Sequence, residues 1–254
     1  MNRTTTKYYT FLVISLLLSS VLQAQVRKVQ NNPKYDIDKF RLGFSLGTNN
    51  MYYRMKVSPD ILFKAKSDTI YGVETKGQFG FNLGMLAEYN LSKYFSIRTL
   101  PGMNFGGRTL LYKSRKFDNV PKDSLAFKTE EMTLQTIDVE IPILFRYKGM
   151  RINNYRPYLI AGGNVRYDLE SNRKKRSNKS DLEGATDYVI KTKPLDLFFE
   201  VGGGIDFYMT YFKLSTEIKM SYGTQDILVH DSNKYNRVIS ELKSKMFLFS
   251  LIFE

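Results

Sequence analysis

Residues 133–148, TLQTIDVEIPILFRYK, set the pattern for the chain. Ile137, Val139, Ile141, Ile143, Phe145 and Tyr147 share one parity, while Thr136, Asp138, Glu140, Pro142, Leu144 and Arg146 share the other. A period of two held over ten residues predicts a β-strand. One face is apolar and ends in aromatics; the other carries Asp138, Glu140 and Arg146. Burying three charges in a soluble core is costly. A transmembrane barrel reverses the sidedness, giving hydrocarbon the apolar face and a narrow lumen the charged one.

The same alternation recurs seven more times. Residues 41–53 set Leu42, Phe44 and Leu46 against Gly43, Ser45 and Gly47, and residues 77–91 set Phe79, Phe81, Leu83, Met85, Ala87 and Tyr89 against Gly80, Asn82, Gly84 and Glu88. Residues 94–112 alternate Phe95, Ile97, Met103 and Phe105 with Ser96, Arg98, Asn104 and Arg108, and Pro101 with Gly106-Gly107 predicts a bend or bulge there. Residues 155–170 point Arg156, Tyr158, Asn164, Arg166 and Asp168 inward, and residues 193–209 point Asp196, Glu200, Gly202, Gly204 and Asp206 inward. Residues 212–222 do so with Lys213, Ser215, Glu217, Lys219 and Ser221. Residues 243–254 alternate least cleanly, because Leu248 and Ile252 fall on the inward parity.

Connections alternate in length. Residues 56–76, 113–132, 171–192 and 223–242 read as long polar loops, whereas residues 90–93, residues 149–154 and the stretch near Thr210 read as tight turns. The expected fold is therefore all-β, an eight-stranded antiparallel up-and-down transmembrane barrel with short periplasmic turns and four long extracellular loops. A lipocalin-like soluble barrel has the same parity with the apolar face inward. It would line up many charges outside and crowd its interior with aromatics.

The N-terminus supplies a route to a membrane. Arg3 and Lys7 precede an apolar run from Phe11 to Leu22, and Leu22-Gln23-Ala24 offers a cleavage site, so residues 1–24 read as a signal peptide. Residues 25–40 read as a periplasmic lead-in and residues 41–254 as the barrel. Cysteine is absent, which excludes disulfides and thiolate chemistry. Eighteen Tyr and eighteen Phe with no Trp suit aromatic girdles. The net charge is +13, of which the signal holds two positive charges, and much of the excess lies in NRKKRSNK at residues 172–179. For an exported barrel that excess points to anionic membrane lipid or an acidic partner, not to nucleic acid.

Candidate chemistry is sparse. The inward positions hold Glu88, Asp138, Glu140, Asp168, Asp196, Glu200, Asp206 and Glu217 against Arg98, Arg146, Arg156, Arg166, Lys213 and Lys219. Near-balance inside a strongly basic chain predicts a paired, structural charge network that plugs the lumen. Asp138 and Glu140 stand two apart, as alternation alone requires, and catalytic acid/base work is not expected of them. His230 is the sole histidine, so no histidine-rich metal site exists, and Asp231 and Ser232 beside it match a triad only in type. Gly202-Gly203-Gly204 lacks the following helix and Lys of a phosphate loop, and more simply makes room for a bulky lumen residue such as Tyr158. No cofactor, metal or catalytic residue is assigned.

Three stretches together resemble the PorT family of outer-membrane barrels: RTLPGMNFGGRTLLY (98–112), VEIPILFRYKGMRINNYRPYLIAGG (139–163) and KLSTEIKMSYGTQDILVHD (213–231). The closing ELKSKMFLFSLIFE is similar to that family's C-terminus. The resemblance implies a non-enzymatic part in the type IX secretion system, with other secretion-system proteins as partners, and in gliding bacteria a link to motility. It assigns no role to any single side chain. Two other readings stay open: a lipid-modifying barrel enzyme using His230 with a serine and an acid at the outer rim, and a structural or adhesive surface barrel.

Overall fold

The computed structural model describes residues 30–36, 38–58, 70–115, 127–171, 192–229 and 239–254. Nine strands form one antiparallel sheet: β1 (Phe40–Val57), β2 (Ile70–Asn90), β3 (Phe95–Thr99), β4 (Gly102–Arg115), β5 (Phe127–Lys148), β6 (Tyr155–Asp168), β7 (Leu195–Tyr208), β8 (Lys213–Gly223) and β9 (Ile239–Phe253). Sequence neighbours pair throughout, except that β3 and β4 each pair with β2 and β5 and not with one another, and β1 pairs with both β2 and β9, so the sheet closes on itself. β3 and β4 occupy one wall position, which makes a ring of eight. The third wall is cut at Leu100 and Pro101 because proline has no N–H to give the ladder; the Pro101 carbonyl still accepts from the Met85 amide at 2.9 Å.

Sidedness follows the alternation. Phe81, Ile141, Phe199 and Ile218 are 53, 58, 52 and 50 % exposed, whereas Glu88, Arg98, Arg146 and Glu200 are fully buried. The apolar side chains look outward and the charges look to the axis, the reverse of a soluble barrel. Outer-face aromatics pair across strands, Phe44 with Phe253 at 5.0 Å, Phe81 with Phe105 at 4.6 Å and Phe95 with Tyr147 at 5.3 Å between ring centroids. Such pairs add to sheet stability beyond area burial.

The strands run longer than alternation predicts. β2 begins at Ile70 and not at Gly77, and β5 begins at Phe127 and not at Thr133, so much of the expected loops 56–76 and 113–132 is sheet. A bulge explains the first case. Between Gly77 and Phe81, β2 advances four residues while β4 advances three, from Arg108 to Phe105. One extra residue inverts which parity looks inward: Asn82, Leu86 and Glu88 are buried on one side of it and Val73 on the other. Spanning needs about 9–11 residues per strand. β8, with 11, is a bare span, while β2 and β5, with 21 and 22, stand well beyond the apolar band.

The short connections 91–94, 149–154 and 209–212 gather at one end of the barrel, called here the turn end; the opposite one is the far end. The lead-in does not hang free. Asn31 donates from its backbone to Asn154 Oδ1 at 2.9 Å and from its side chain to the Tyr208 carbonyl at 3.0 Å, and Asn32, at φ 47°, reaches the carbonyls of Met209 and Thr210. A 3₁₀ turn (Pro33–Asp36) then places Tyr35 across the turn-end mouth.

An arginine at the middle of the apolar band should be expensive and one beyond it cheap. Ile141→Arg is expected to lower the folding free energy in lipid vesicles by about 2–4 kcal/mol, read from reversible denaturant titration, while Thr129→Arg changes it by less than about 1 kcal/mol.

Candidate functional site

The inward faces of all eight walls build one polar column, layered along the axis. At the turn-end mouth the Tyr35 hydroxyl donates to Glu254 Oε2 at 3.3 Å, its ring meets Tyr208 edge-on at 5.9 Å, and the Arg41 guanidinium lies 4.1 Å from its centroid. Burial, and next the Glu254 carboxylate, push the Tyr35 hydroxyl well above the usual tyrosine range, so it stays a proton donor.

Above this cork lies the first ionic layer. Glu88 accepts from Arg98 at 2.8 Å, Arg146 at 2.9 Å and Lys148 at 3.1 Å. Arg98 reaches on to Glu217 at 2.9 Å, Arg146 bonds Asp206, and Lys213 lies 2.6 Å from Glu254. Tyr158 ties the layer together: its hydroxyl donates to Glu217 at 2.9 Å and its ring lies 3.8 Å from the Arg146 guanidinium carbon. That position depends on Gly204, since a Cβ there would come within 2.6 Å of the phenol. Beside Tyr158, Leu86, Leu100, Leu144, Ile160 and Ile252 form an apolar layer, so Ile252, on the parity that broke the alternation of the last strand, fills the lumen.

A second ionic layer follows. Arg166 bridges Glu140 at 2.8 Å and Glu200 at 2.7 Å, Asn164 donates to both acids at 2.8 Å, and Lys219 meets Glu200 at 2.9 Å. Phe198 backs the Arg166 guanidinium at 4.2 Å. Arg108 pairs Asp138 at 3.6 Å. Two of the charged side chains assigned to the network are placed differently. Arg156 is buried and donates to the carbonyls of Gly149 and Lys93 at the turns, and Asp196 is buried and joins no ion pair among the described residues, beside a cavity of about 20 Å³ that also touches Asp138, Asp168 and Arg166. That volume takes one water.

The far end is closed by apolar side chains. Tyr53, Val73, Leu110, Tyr112, Leu134, Ile239 and Leu242 from the walls enclose Ile227 and Leu228. These two belong to the stretch expected as a free loop over residues 223–242; an adjacent apolar pair gains by burial, and residues 224–229 fold across the mouth. The Ile227 amide donates to the Leu242 carbonyl at 3.0 Å, and Asp226 Oδ1 accepts from the amides of Leu228 and Leu242.

Sequence reasoning passed over Arg41, Lys148 and Glu254, all buried participants. Extending each strand's inward parity by one step past its apolar run would have found them. His230, Asp231, Ser232 and the basic run at residues 172–179 lie outside the described residues. Among the described residues no group of three or more His, Cys, Asp or Glu is arranged to hold a metal.

A closed antiparallel ring with an apolar exterior and an ion-paired interior is the arrangement hydrocarbon demands, and the sequence itself decides the family. Residues 23–229 match the family described as outer membrane protein beta-barrel domain. The chain belongs to that family. No curated protein sequence matches it. Among solved structures it is similar to the outer membrane protein OprG from Pseudomonas aeruginosa, with 12 % identity over 83 % of this chain and 92 % of that one, TM-score 0.41. It is similar also to Neisserial surface protein A (13 %, 82 % and 95 %, TM-score 0.34) and to Ail, the attachment invasion locus protein of Yersinia pestis (10 %, 85 % and 98 %, TM-score 0.33).

Removing one member of a buried pair strands its partner. Arg146→Met leaves Glu88 and Asp206 short of a cation and is expected to cost about 3–5 kcal/mol, seen as a lower denaturation midpoint in vesicles. Tyr158→Phe keeps the ring and loses one bond to a carboxylate, about 1.5–3 kcal/mol.

Proposed function

We propose that this barrel is a non-enzymatic outer-membrane component required for protein secretion by the type IX system, acting through contacts with other secretion proteins. The turn end then faces the periplasm and the far end the cell exterior. The observation that carries the non-enzymatic half is the filled lumen. Tyr35 corks one mouth, Ile227 and Leu228 stop the other, and two ionic layers occupy the axis between them. The described residues leave a cavity of about 20 Å³ there, room for one water and not for a ligand, and most of the buried charges serve as packing, holding one another in place of water. What remains for function is surface: the turns, the outer wall and the parts of β2, β4 and β5 that rise beyond the apolar band. The pathway itself rests on the PorT-like stretches at 98–112, 139–163 and 213–231.

Deleting the gene is expected to leave cargo bearing C-terminal secretion signals inside the envelope, with little reaching the medium; unchanged export refutes the proposal. Cross-linking in detergent-solubilised outer membrane is expected to capture secretion components at the turn end or the raised wall. The purified barrel in a planar bilayer is expected to show no steady conductance.

A further inference from the structure

The outward face of the β8, β9 and β1 wall carries an arrangement that the filled lumen does not explain. Tyr222, Lys245 and Tyr52 are direct neighbours across the three strands. The Lys245 ammonium lies 5.1 Å from the Tyr222 ring centroid and 5.3 Å from that of Tyr52. One step toward the far end Lys243 faces Arg54, and one step further Glu241 faces Lys56. Glu241 is the one acid of the group; it meets Lys243 at 2.6 Å and also pairs Lys56. Among the described residues of this patch, four cations therefore stand beside a single carboxylate, which pairs two of them. On the turn side of Lys245 the same wall exposes Phe247, Phe249 and Ile218, so Lys245 stands where the hydrocarbon-facing surface stops.

Neighbouring strands lie about 4.8 Å apart and alternate residues about 6.8 Å apart along a strand, which puts the heads of Lys245, Lys243 and Arg54 within reach of one phosphate. Tyrosines at this depth sit at headgroup level, and their faces hold an ammonium without neutralising it. The raised wall of β2 and β4 differs at its outer face: there Lys113 is ion-paired with Glu74.

We infer that Lys245, held between Tyr52 and Tyr222 with Lys243 and Arg54 above it, forms a binding site for a phosphate-bearing lipid of the leaflet at the far end. Given the orientation proposed above, that lipid is a phosphorylated glycolipid of the outer leaflet. Its acyl chains lie along Phe247, Phe249 and Ile218 while its phosphate accepts from the three cations. A free phosphate offers the same oxygens but lacks the chains, so the two are separable.

The full-length mature barrel in detergent is titrated with diphosphoryl lipid A, with the same lipid stripped of phosphate, and with inorganic phosphate, and bound lipid is read by native mass spectrometry. Wild type is expected to prefer the phosphorylated lipid by about tenfold or more. The combined K245A, K243A and R54A variant loses that preference, while K76A, a surface lysine on β2, keeps it. Unchanged heat-modifiable migration shows that the variants are folded, and Lys245→Arg retains binding. Equal affinity of wild type for both lipids, an unchanged preference in the triple variant, or complete displacement of the lipid by millimolar inorganic phosphate each overturns the inference. Because secretion is not measured, failure here leaves the secretion reading standing.

Discussion

Ion pairing along the barrel axis is the constraint on which the rest depends. Eight strands enclose a space just wide enough for side chains, and the outward positions of the apolar band face hydrocarbon, so the polar side chains of the same spans are housed within. Charges persist there only when they neutralise one another and share their remaining hydrogen bonds. Glu88 with three cations and Arg166 with two acids satisfy that demand. The apolar side chains of the axis form a layer beside Tyr158 and close the far end, while Tyr35 covers the turn end.

The same constraint accounts for the choice of small residues. The adjoining strands β5 and β6 carry Arg146 and Tyr158 toward the axis, and the next strand, β7, makes room beside them with Gly202 and Gly204. Without that relief the phenol could not sit 3.8 Å from the Arg146 guanidinium carbon. Packing and electrostatics are in this sense one problem, solved by placing the largest cation against the thinnest strand.

Most of this was legible in the sequence. Strict alternation in β5, β6, β7 and β8 gave fold, facing and approximate ends, because a membrane imposes apolar exteriors on every other residue. Where the membrane ends, so does the signal: the outer parts of β2 and β5 carry exposed Lys76, Thr129 and Glu131 and looked like loops. The bulge near Gly77 hid the rest by shifting parity midway. Which charges pair was not readable either, since partners such as Arg98 and Glu217 lie 119 residues apart and meet only through the ring's curvature. Asp196 shows the limit of counting: balance along the chain does not guarantee a partner in place.

The seam between the first strand and the last has its own corollary. β1 is held by β9 from Phe44 opposite Phe253 to Val57 opposite Ile239, so the cylinder cannot shut until the final residues have been synthesised. A ribosome-bound or translocating fragment would present two raw edges, each a template for indiscriminate pairing. Closure is therefore a single late event that joins the first strand to the last and removes both edges at once.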